Sequence, residues 1–433
     1  MNAFRFAVVG AGPAGAYAVG ALLAQTDAVG VPCDIDLLDR LPTPWGLVRS
    51  GVAPDHPQIK SVIRVFERIV DHPAVRFLGG VQIGRDLSHR ELLDRYDAVV
   101  YATGAPVDRQ LDIPGTGLAG CLPAGRFVRW YNGHPDASTE QISLDTHRAV
   151  VVGNGNVAID CARLLIQDPE DLCRTDIANP ALAVLAESRI REVVVLGRRD
   201  PGQASFTLPE LHQLGRLRGV DITVDAPSLT GDGPVLDALR SLAARPAQPG
   251  RRLTLRFQVS PTAVVGHGHV EALDLVHNEI VDGRARPTTR HERIDCGFVV
   301  HAVGFGGSAI PGVPFDDVHG RVANTGGRVA PRVYVAGWAK RGPSGVIGTN
   351  KRCATETASA IVADITDGTL RPRHHDRDSA LTFLHDRSPS LVTLDGWRRI
   401  DAAEVAAGLP HGRPRIKFTS GRALADAARG DRH

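Results

Sequence analysis

The sequence predicts an α/β protein with two mainly parallel sheets, one for each of two βαβ units. Three observations predict it. The chain opens with a short apolar strand, the glycine-rich turn Gly10-Ala-Gly12-Pro-Ala-Gly15 and a helical stretch. The same order restarts at Ala149, around Gly153-Asn-Gly155-Asn-Val-Ala158. Most of the predicted strands, among them Ala98 to Ala102 and Ala149 to Gly153, are short apolar runs, as strands covered by helices on both faces require.

Taken in order, Phe6 to Gly10 reads as the first strand, Ala16 to Gln25 as the helix, and Asp34 to Asp39 as the strand that completes the unit. Ser88 to Arg95 reads as a helix and Ala98 to Ala102 as a buried strand running into Thr103-Gly104. In the second unit, Ala149 to Gly153 is a strand, Ile159 to Ile166 a helix, and Val193 to Leu196 a strand ending in Gly197-Arg198-Arg199. Residues 227–252, rich in Pro and Gly, read as a loop or edge excursion. Phe298 to Ala302 and Val333 to Ala336 are further strands, and Thr349 to Asp364 is a helix. Residues 367–378 lack an apolar period and read as surface, and the tail from Arg422 as mobile.

The glycine spacing carries chemistry. Gly10 permits a tight turn, Gly12 lets the backbone approach a pyrophosphate, and Gly15 lets helix and strand pack closely. The helix N-terminus then faces the anion. Asp39 ends the second strand, where a carboxylate meets a ribose hydroxyl. The unit is thus a Rossmann-like dinucleotide site. In the second unit the corresponding strand ends in Arg198-Arg199. A carboxylate repels a 2′-phosphate, whereas a guanidinium fork grips it. The first site therefore suits a nucleotide with a free adenosine ribose, and the second suits NADPH.

Composition excludes several alternatives. The 433 residues are 43% hydrophobic and 23% charged, ordinary for a folded chain. A net charge of +2 excludes nucleic-acid binding through bulk charge. Six cysteines without C-x-x-C or zinc spacing exclude a dithiol centre and point to the cytoplasm. Phe6 to Ala24 is uncharged and follows Arg5, like a signal peptide, but four glycines and Pro13 break it. No other stretch is long enough for a membrane span. His267 with His269, and His374 with His375 and Asp376, lack further ligands at suitable spacing, so no metal is expected. Of 50 basic residues only Lys60, Lys340, Lys351 and Lys417 are lysines. Arg216, Arg218, Arg240, Arg245, Arg251, Arg252 and Arg256 could form a basic docking face or simply be solvated.

Several longer segments are distinctive: Pro44-Trp-Gly-Leu-Val-Arg-Ser-Gly-Val-Ala-Pro-Asp-His56-Pro, Phe127-Val-Arg-Trp-Tyr-Asn-Gly-His-Pro, Gly153 to Asp160, Gly197-Arg-Arg-Asp-Pro, Gly337-Trp-Ala-Lys-Arg-Gly-Pro-Ser-Gly-Val-Ile347, and Trp397 to Gly408. Together they resemble the adrenodoxin-reductase family of ferredoxin–NADP reductases, including its bacterial members, over nearly the whole chain. Ala102-Thr-Gly104 and Tyr334 to Gly337 resemble the second and third fingerprints of two-dinucleotide flavoproteins, with Trp338 where most have aspartate.

The resemblance implies a glutathione-reductase-like architecture. Residues 1–105 and 303–433 would form a discontinuous FAD domain with a C-terminal extension, and 106–302 an inserted NADP domain. It implies that Gly10, Gly12, Ala14, Gly15, Asp39, Leu47 and Val81 contact FAD, with Val81 near the adenine. Trp338, Gly345, Val346 and Ile347 would line the isoalloxazine. Asn154, Gly155, Asn156, Val157, Arg198, Arg199 and Glu210 would hold NADPH, with Arg109 adding charge. His56 would lie on a proton route near the flavin. The implied activity is hydride transfer from NADPH to FAD and single-electron transfer to an acidic ferredoxin, by a monomer or weak oligomer. A diaphorase or quinone reductase, and a non-catalytic flavin or NADPH sensor, are the alternatives.

Three of these residues admit plainer readings. Thr207-Leu-Pro-Glu210 also reads as a helix capping box. Trp338 also reads as core, and His56 as a hydrogen-bonded loop histidine. Gln213, on one helix face with Glu210, stands where family members often carry an acid. An amide cannot carry a proton, so an acid–histidine relay lacks that member.

Overall fold

The computed structural model describes residues 3–373 and 376–430. The His374-His375 part of the second metal candidate therefore lies outside the described residues. The first sheet has seven strands in the order Arg328–Ala330, Val333–Val335, Ala98–Tyr101, Phe4–Val9, Cys33–Asp39, Val75–Gly79 and Val392–Thr393. Its five central strands are parallel and its two outer ones antiparallel. Phe4–Val9 and Ala98–Tyr101 are buried throughout, which is why residues 6–9 and 98–101 read as continuous apolar runs. Helices Pro13–Ala28 and Ile347–Thr366 pack together, joining the two halves of this unit.

Between Tyr101 and Phe315 the chain leaves this sheet. It builds a second, wholly parallel sheet in the order Cys121–Pro123, Phe298–His301, Arg148–Val152, Glu192–Gly197, Arg251–Phe257 and Val220–Asp225. The outgoing and returning chains pair as Val107–Asp108 with Phe305–Gly306. An NADP-type unit is thus inserted in a discontinuous first unit, the expected fold class. A three-stranded antiparallel sheet of Val259–Val265, Ala272–Val281 and Arg284–Asp295 is not hydrogen-bonded into either sheet but packs on the second, with Val259, Val264, Leu273 and Leu275 against Val150, Val152, Val194 and Leu196.

Two expectations are corrected. Residues 227–252 are not only loop, because Pro234–Ala243 is a helix that buries Leu236, Leu239 and Leu242 at helical spacing. Gly233 starts it at φ 136° and Pro234 occupies its first turn, so the breakers are start signals here. Residues 422–430 are not a loose tail. Gly421–Arg429 is a helix capped by the Ser420 hydroxyl, with Leu424, Ala427 and Ala428 buried, and it packs on Leu394–Gly408.

Candidate active site

The first glycine turn has the geometry its spacing predicts. Gly10 sits at φ 105°, and a Cβ there would lie 2.5 Å from the Ala102 carbonyl oxygen. A Cβ on Gly15 would lie 1.8 Å from the Gly10 carbonyl oxygen. Helix and strand can approach only without those side chains. Gly12 starts the helix Pro13–Ala28 with no side-chain cap, which leaves N–H groups open to an anion.

Asp39 accepts from Ala11 N at 2.7 Å and Leu41 N at 2.9 Å, which fixes its carboxylate beside the turn. Val81, buried, donates its N–H to the Asp39 carbonyl at 2.8 Å. Leu47 is half-exposed at the start of a short helix. Gly337 is pressed against the turn, since a Cβ on it would lie 2.3 Å from the Ala14 Cβ. Trp338 follows, half-buried rather than core, and donates Nε1–H to the Ser344 carbonyl at 3.1 Å. Gly345 (φ 81°) and exposed Val346 lead into the helix that opens at Ile347, again without a side-chain cap. These residues form one cradle of bare backbone around the first turn, and it fits FAD.

The second turn repeats the pattern. A Cβ on Gly153 would lie 2.4 Å from the Ala302 carbonyl oxygen, and Gly155 caps the helix Asn156–Ile166 without a side chain. Asn154 lies against Gly197, Val157 is half-buried, and Asn156 Oδ1 accepts from Thr207 N at 2.8 Å. Arg198 is exposed and Arg199 half-buried, and among the described residues neither guanidinium has a carboxylate partner. Arg109 is exposed at the domain crossing, where its Nε donates to the Phe305 carbonyl at 3.1 Å.

The docking group behaves differently from this pair. Arg240 pairs with Asp237, Arg252 with Asp221, Arg256 with Asp225 and Glu292, and Arg218 approaches Asp171. Arg251 is bound to the Ile166 and Gln167 carbonyls, and Arg245 is half-buried. The candidate basic face is therefore largely paired, and Arg216 remains exposed without a carboxylate partner among the described residues.

His56 and Glu210 meet across the two units. The loop after Leu47–Ser50 reaches into the second unit, where Ala53 joins its core. His56 is 6% exposed, and its Nε2 lies 3.8 Å from both Asp160 Oδ1 and Glu210 Oε2. Among the described residues that Nε2 has no hydrogen-bond partner. The capping box fails. Thr207 makes no side-chain cap, and Glu210 turns inward.

Arg163, 2% exposed, binds Asp55 through Nε at 2.7 Å and Nη2 at 2.8 Å, and binds Asp160 at 2.8 Å. Its Nη1 stands 3.6 Å from Glu210 Oε2. Nη1, Glu210 Oε2 and His56 Nε2 are all buried and have no hydrogen-bond partner among the described residues. Burial, with Asp160 and Asp55, pushes the Glu210 carboxyl up to about 7 against the pull of Arg163. Burial and Arg163 hold His56 below its ordinary value, so it is neutral near pH 7. Burial raises Asp160, while at Asp55 the Arg163 bond overcomes burial and lowers it.

Asp55, Asp160 and Arg163 received no role from the sequence. The available signal was two charges on the otherwise apolar helix Asn156–Ile166. A cavity of about 790 Å³, lined by Cys121, Arg148 and Cys296 among others, contains none of the expected site residues.

The family described as pyridine nucleotide-disulphide oxidoreductase matches residues 4–199. NADPH-ferredoxin reductase FprA of Mycobacterium tuberculosis (strain ATCC 25618 / H37Rv) is 45% identical, covering 97% of this chain and 98% of that protein. Mitochondrial NADPH:adrenodoxin oxidoreductase of Arabidopsis thaliana is 37% identical, covering 97% of this chain and 94% of that protein. The solved structure of M. tuberculosis FprA in complex with NADPH aligns with a TM-score of 0.96 at 43% identity, over 99% of this chain and 100% of that one. Thioredoxin reductase of T. acidophilum, 15% identical with a TM-score of 0.50, shares the fold alone. With two nucleotide turns of opposite ribose-end charge and full-length identity of this order, the chain belongs to the family of NADPH–ferredoxin reductases that includes adrenodoxin reductase.

Proposed function

We infer that this protein is an FAD-dependent NADPH–ferredoxin reductase. The observation that carries the reading is the pairing of two uncapped glycine turns in one chain, one ending in Asp39 and the other in Arg198-Arg199. FAD, when bound, supplies hydride acceptance and release of single electrons. Gly10 to Gly15, Asp39, Leu47 and Val81 hold its nucleotide half in this reading. Trp338 and Gly345 to Ile347 line its ring. Asn154 to Val157 hold the NADPH pyrophosphate, and Arg198 and Arg199 its 2′-phosphate, with Arg109 at the rim.

His56 and Glu210 are the groups that hold a proton beside this site. At 3.8 Å, Nε2 and Oε2 are too far apart for a direct hydrogen bond, so exchange between them needs a bridging group or a small shift. Gln213 leaves that pair without a second acid on its helix face. The electron acceptor is an acidic iron–sulfur protein of the ferredoxin type. With most of the 216–256 arginines already paired, its docking depends on fewer free charges than their number suggests.

The test is spectral. The purified protein should be yellow, NADPH should bleach it without oxygen, and a ferredoxin should restore the colour. A colourless protein that FAD does not reconstitute would overturn the assignment. Bleaching without coupling to any ferredoxin would make it a diaphorase.

A further inference from the structure

We propose that Asn278, supported by Gln258, positions the arginine pair at the second ribose end and so sets the preference for a 2′-phosphorylated nucleotide. The proposal rests on the reading of Arg198 and Arg199 given above. The observation behind it is the antiparallel sheet that packs on the second parallel sheet.

Asn278 lies in the central strand Ala272–Val281, at a slip in its pairing with Arg284–Asp295 between Val276 and Asn278. It is 6% exposed. Its Nδ2 donates to the Arg198 carbonyl at 2.9 Å and to Ser260 Oγ at 2.8 Å, while its own N–H donates to the Gln258 carbonyl at 2.7 Å. Gln258 holds a left-handed backbone at φ 57°, and its N–H donates to the Arg199 carbonyl at 3.2 Å. The Gln258 amide reaches Asp200 Oδ2 at 3.3 Å, and Gln203 Nε2 reaches the Gly283 carbonyl at 3.1 Å.

The segment 198–203 is thus pinned through its main chain and its flanking polar groups, while among the described residues both guanidinium groups stay without a carboxylate partner. That is how a preorganised phosphate reader is built. Fixing the backbone reduces the ordering cost of binding and aims the two forks, yet consumes none of their donors. Asparagine suits the position because one nitrogen carries two hydrogens for two partly buried acceptors. Aspartate has the same shape and no donor. Leucine leaves both acceptors unpaired. The non-glycine φ at Gln258 is the second constraint, retained where it serves the neighbouring main chain.

The experiment compares wild type with Asn278→Asp, Asn278→Leu, Gln258→Gly, Gln258→Val and the double variant R198A/R199A. Calorimetry measures binding of 2′,5′-ADP and, as control, 5′-ADP to the holoenzyme. Steady-state rates give KM and kcat with NADPH and NADH. Loss of a hydrogen bond that orders the reader should weaken 2′,5′-ADP about five- to tenfold in both Asn278 variants and leave 5′-ADP unmoved. KM for NADPH should rise with kcat kept, and KM for NADH should stay. Gln258→Gly accommodates the positive φ and keeps the N–H but loses the amide contact to Asp200, so it should weaken 2′,5′-ADP less than Gln258→Val does. Gln258→Val should behave like the Asn278 variants, and it reports on the same loop if those fail to fold. Equal weakening of both nucleotides, or a lowered melting temperature with unchanged discrimination, would overturn the proposal. If R198A/R199A loses discrimination while the Asn278 and Gln258 variants keep it, this proposal alone fails. If R198A/R199A keeps it, the arginine reading fails and this proposal with it.

Discussion

A carboxyl group 7% exposed, with one oxygen unpartnered and a neutral imidazole 3.8 Å away, is costly to ionise. Glu210 shows this as a rise from 4.5 to about 7, caused first by burial and then by Asp160. The folded state therefore binds the extra proton between those values, so its contribution to stability falls as pH rises through that window. His56, held below 6.5 by burial and Arg163, works in the opposite direction in its own window. Asp55, Asp160 and Arg163 face both groups. Comparing Glu210→Gln with wild type isolates the carboxyl. The two should be nearly equal in stability at pH 4.5, and the variant more stable by about 1–3 kcal/mol at pH 8. Urea midpoints at the two pH values check it, and a pH-independent difference would remove the basis for Glu210 as a proton-holding group. Glu210 and His56 entered the sequence reading through resemblance. Arg163 did not, because its partner Asp55 is 108 positions away and no local pattern encodes that contact.

Elements were legible where burial on both faces made the pattern unbroken, as in residues 6–9 and 149–152. They were lost where turn residues sat at a helix start, as at Gly233-Pro234. The helix Gly421–Arg429 was lost for another reason, since it offers only Leu424, Ala427 and Ala428 as a short apolar stripe, and the segment before it is anchored by charges. Arg413 binds the Thr175 and Ile177 carbonyls and Asn179. Lys417, whose side chain is 1% exposed, reaches Asp176 at 3.1 Å and the Arg49 carbonyl at 3.2 Å, and Lys60 shares the same Asp176. Glu404, 0% exposed, binds Arg49 at 2.6 Å and takes the Phe418 N–H at 2.9 Å. Two of the four lysines in an arginine-rich chain thus converge on one buried carboxylate. Lys417→Met removes one of the two cations and leaves Lys60 in place. The cost should fall toward the lower end of about 3–5 kcal/mol. Lys351→Met, at an exposed helix position, should cost less than about 0.5 kcal/mol. Denaturant unfolding of both variants decides it, and equal small effects would show that the segment anchors nothing.

At the scale of the molecule, only two chain crossings join the units, paired over Val107–Asp108 and Phe305–Gly306. A two-strand crossing of this kind is an ordinary hinge. Here it is bridged by charge. Arg163 on the second unit binds Asp55 on the first, Lys60 binds Asp176, and Lys417 and Arg413 tie the C-terminal segment to the same loop of the second unit. A domain rotation would strip each of these partly buried pairs of its partner, and breaking one such pair costs about 3–5 kcal/mol. The two units should therefore keep one relative orientation through the catalytic cycle, with NADPH entering a cleft already formed. Small-angle scattering of the holoenzyme should give the same radius of gyration with and without NADP⁺. The triple variant Asp55→Ala, Asp176→Asn, Arg413→Ala should be larger than wild type and should contract when NADP⁺ is added, since the ligand then has to supply the orientation. A wild-type protein that itself contracts on binding NADP⁺ would mean that the hinge is open at rest and that these ion pairs form only after the nucleotide arrives.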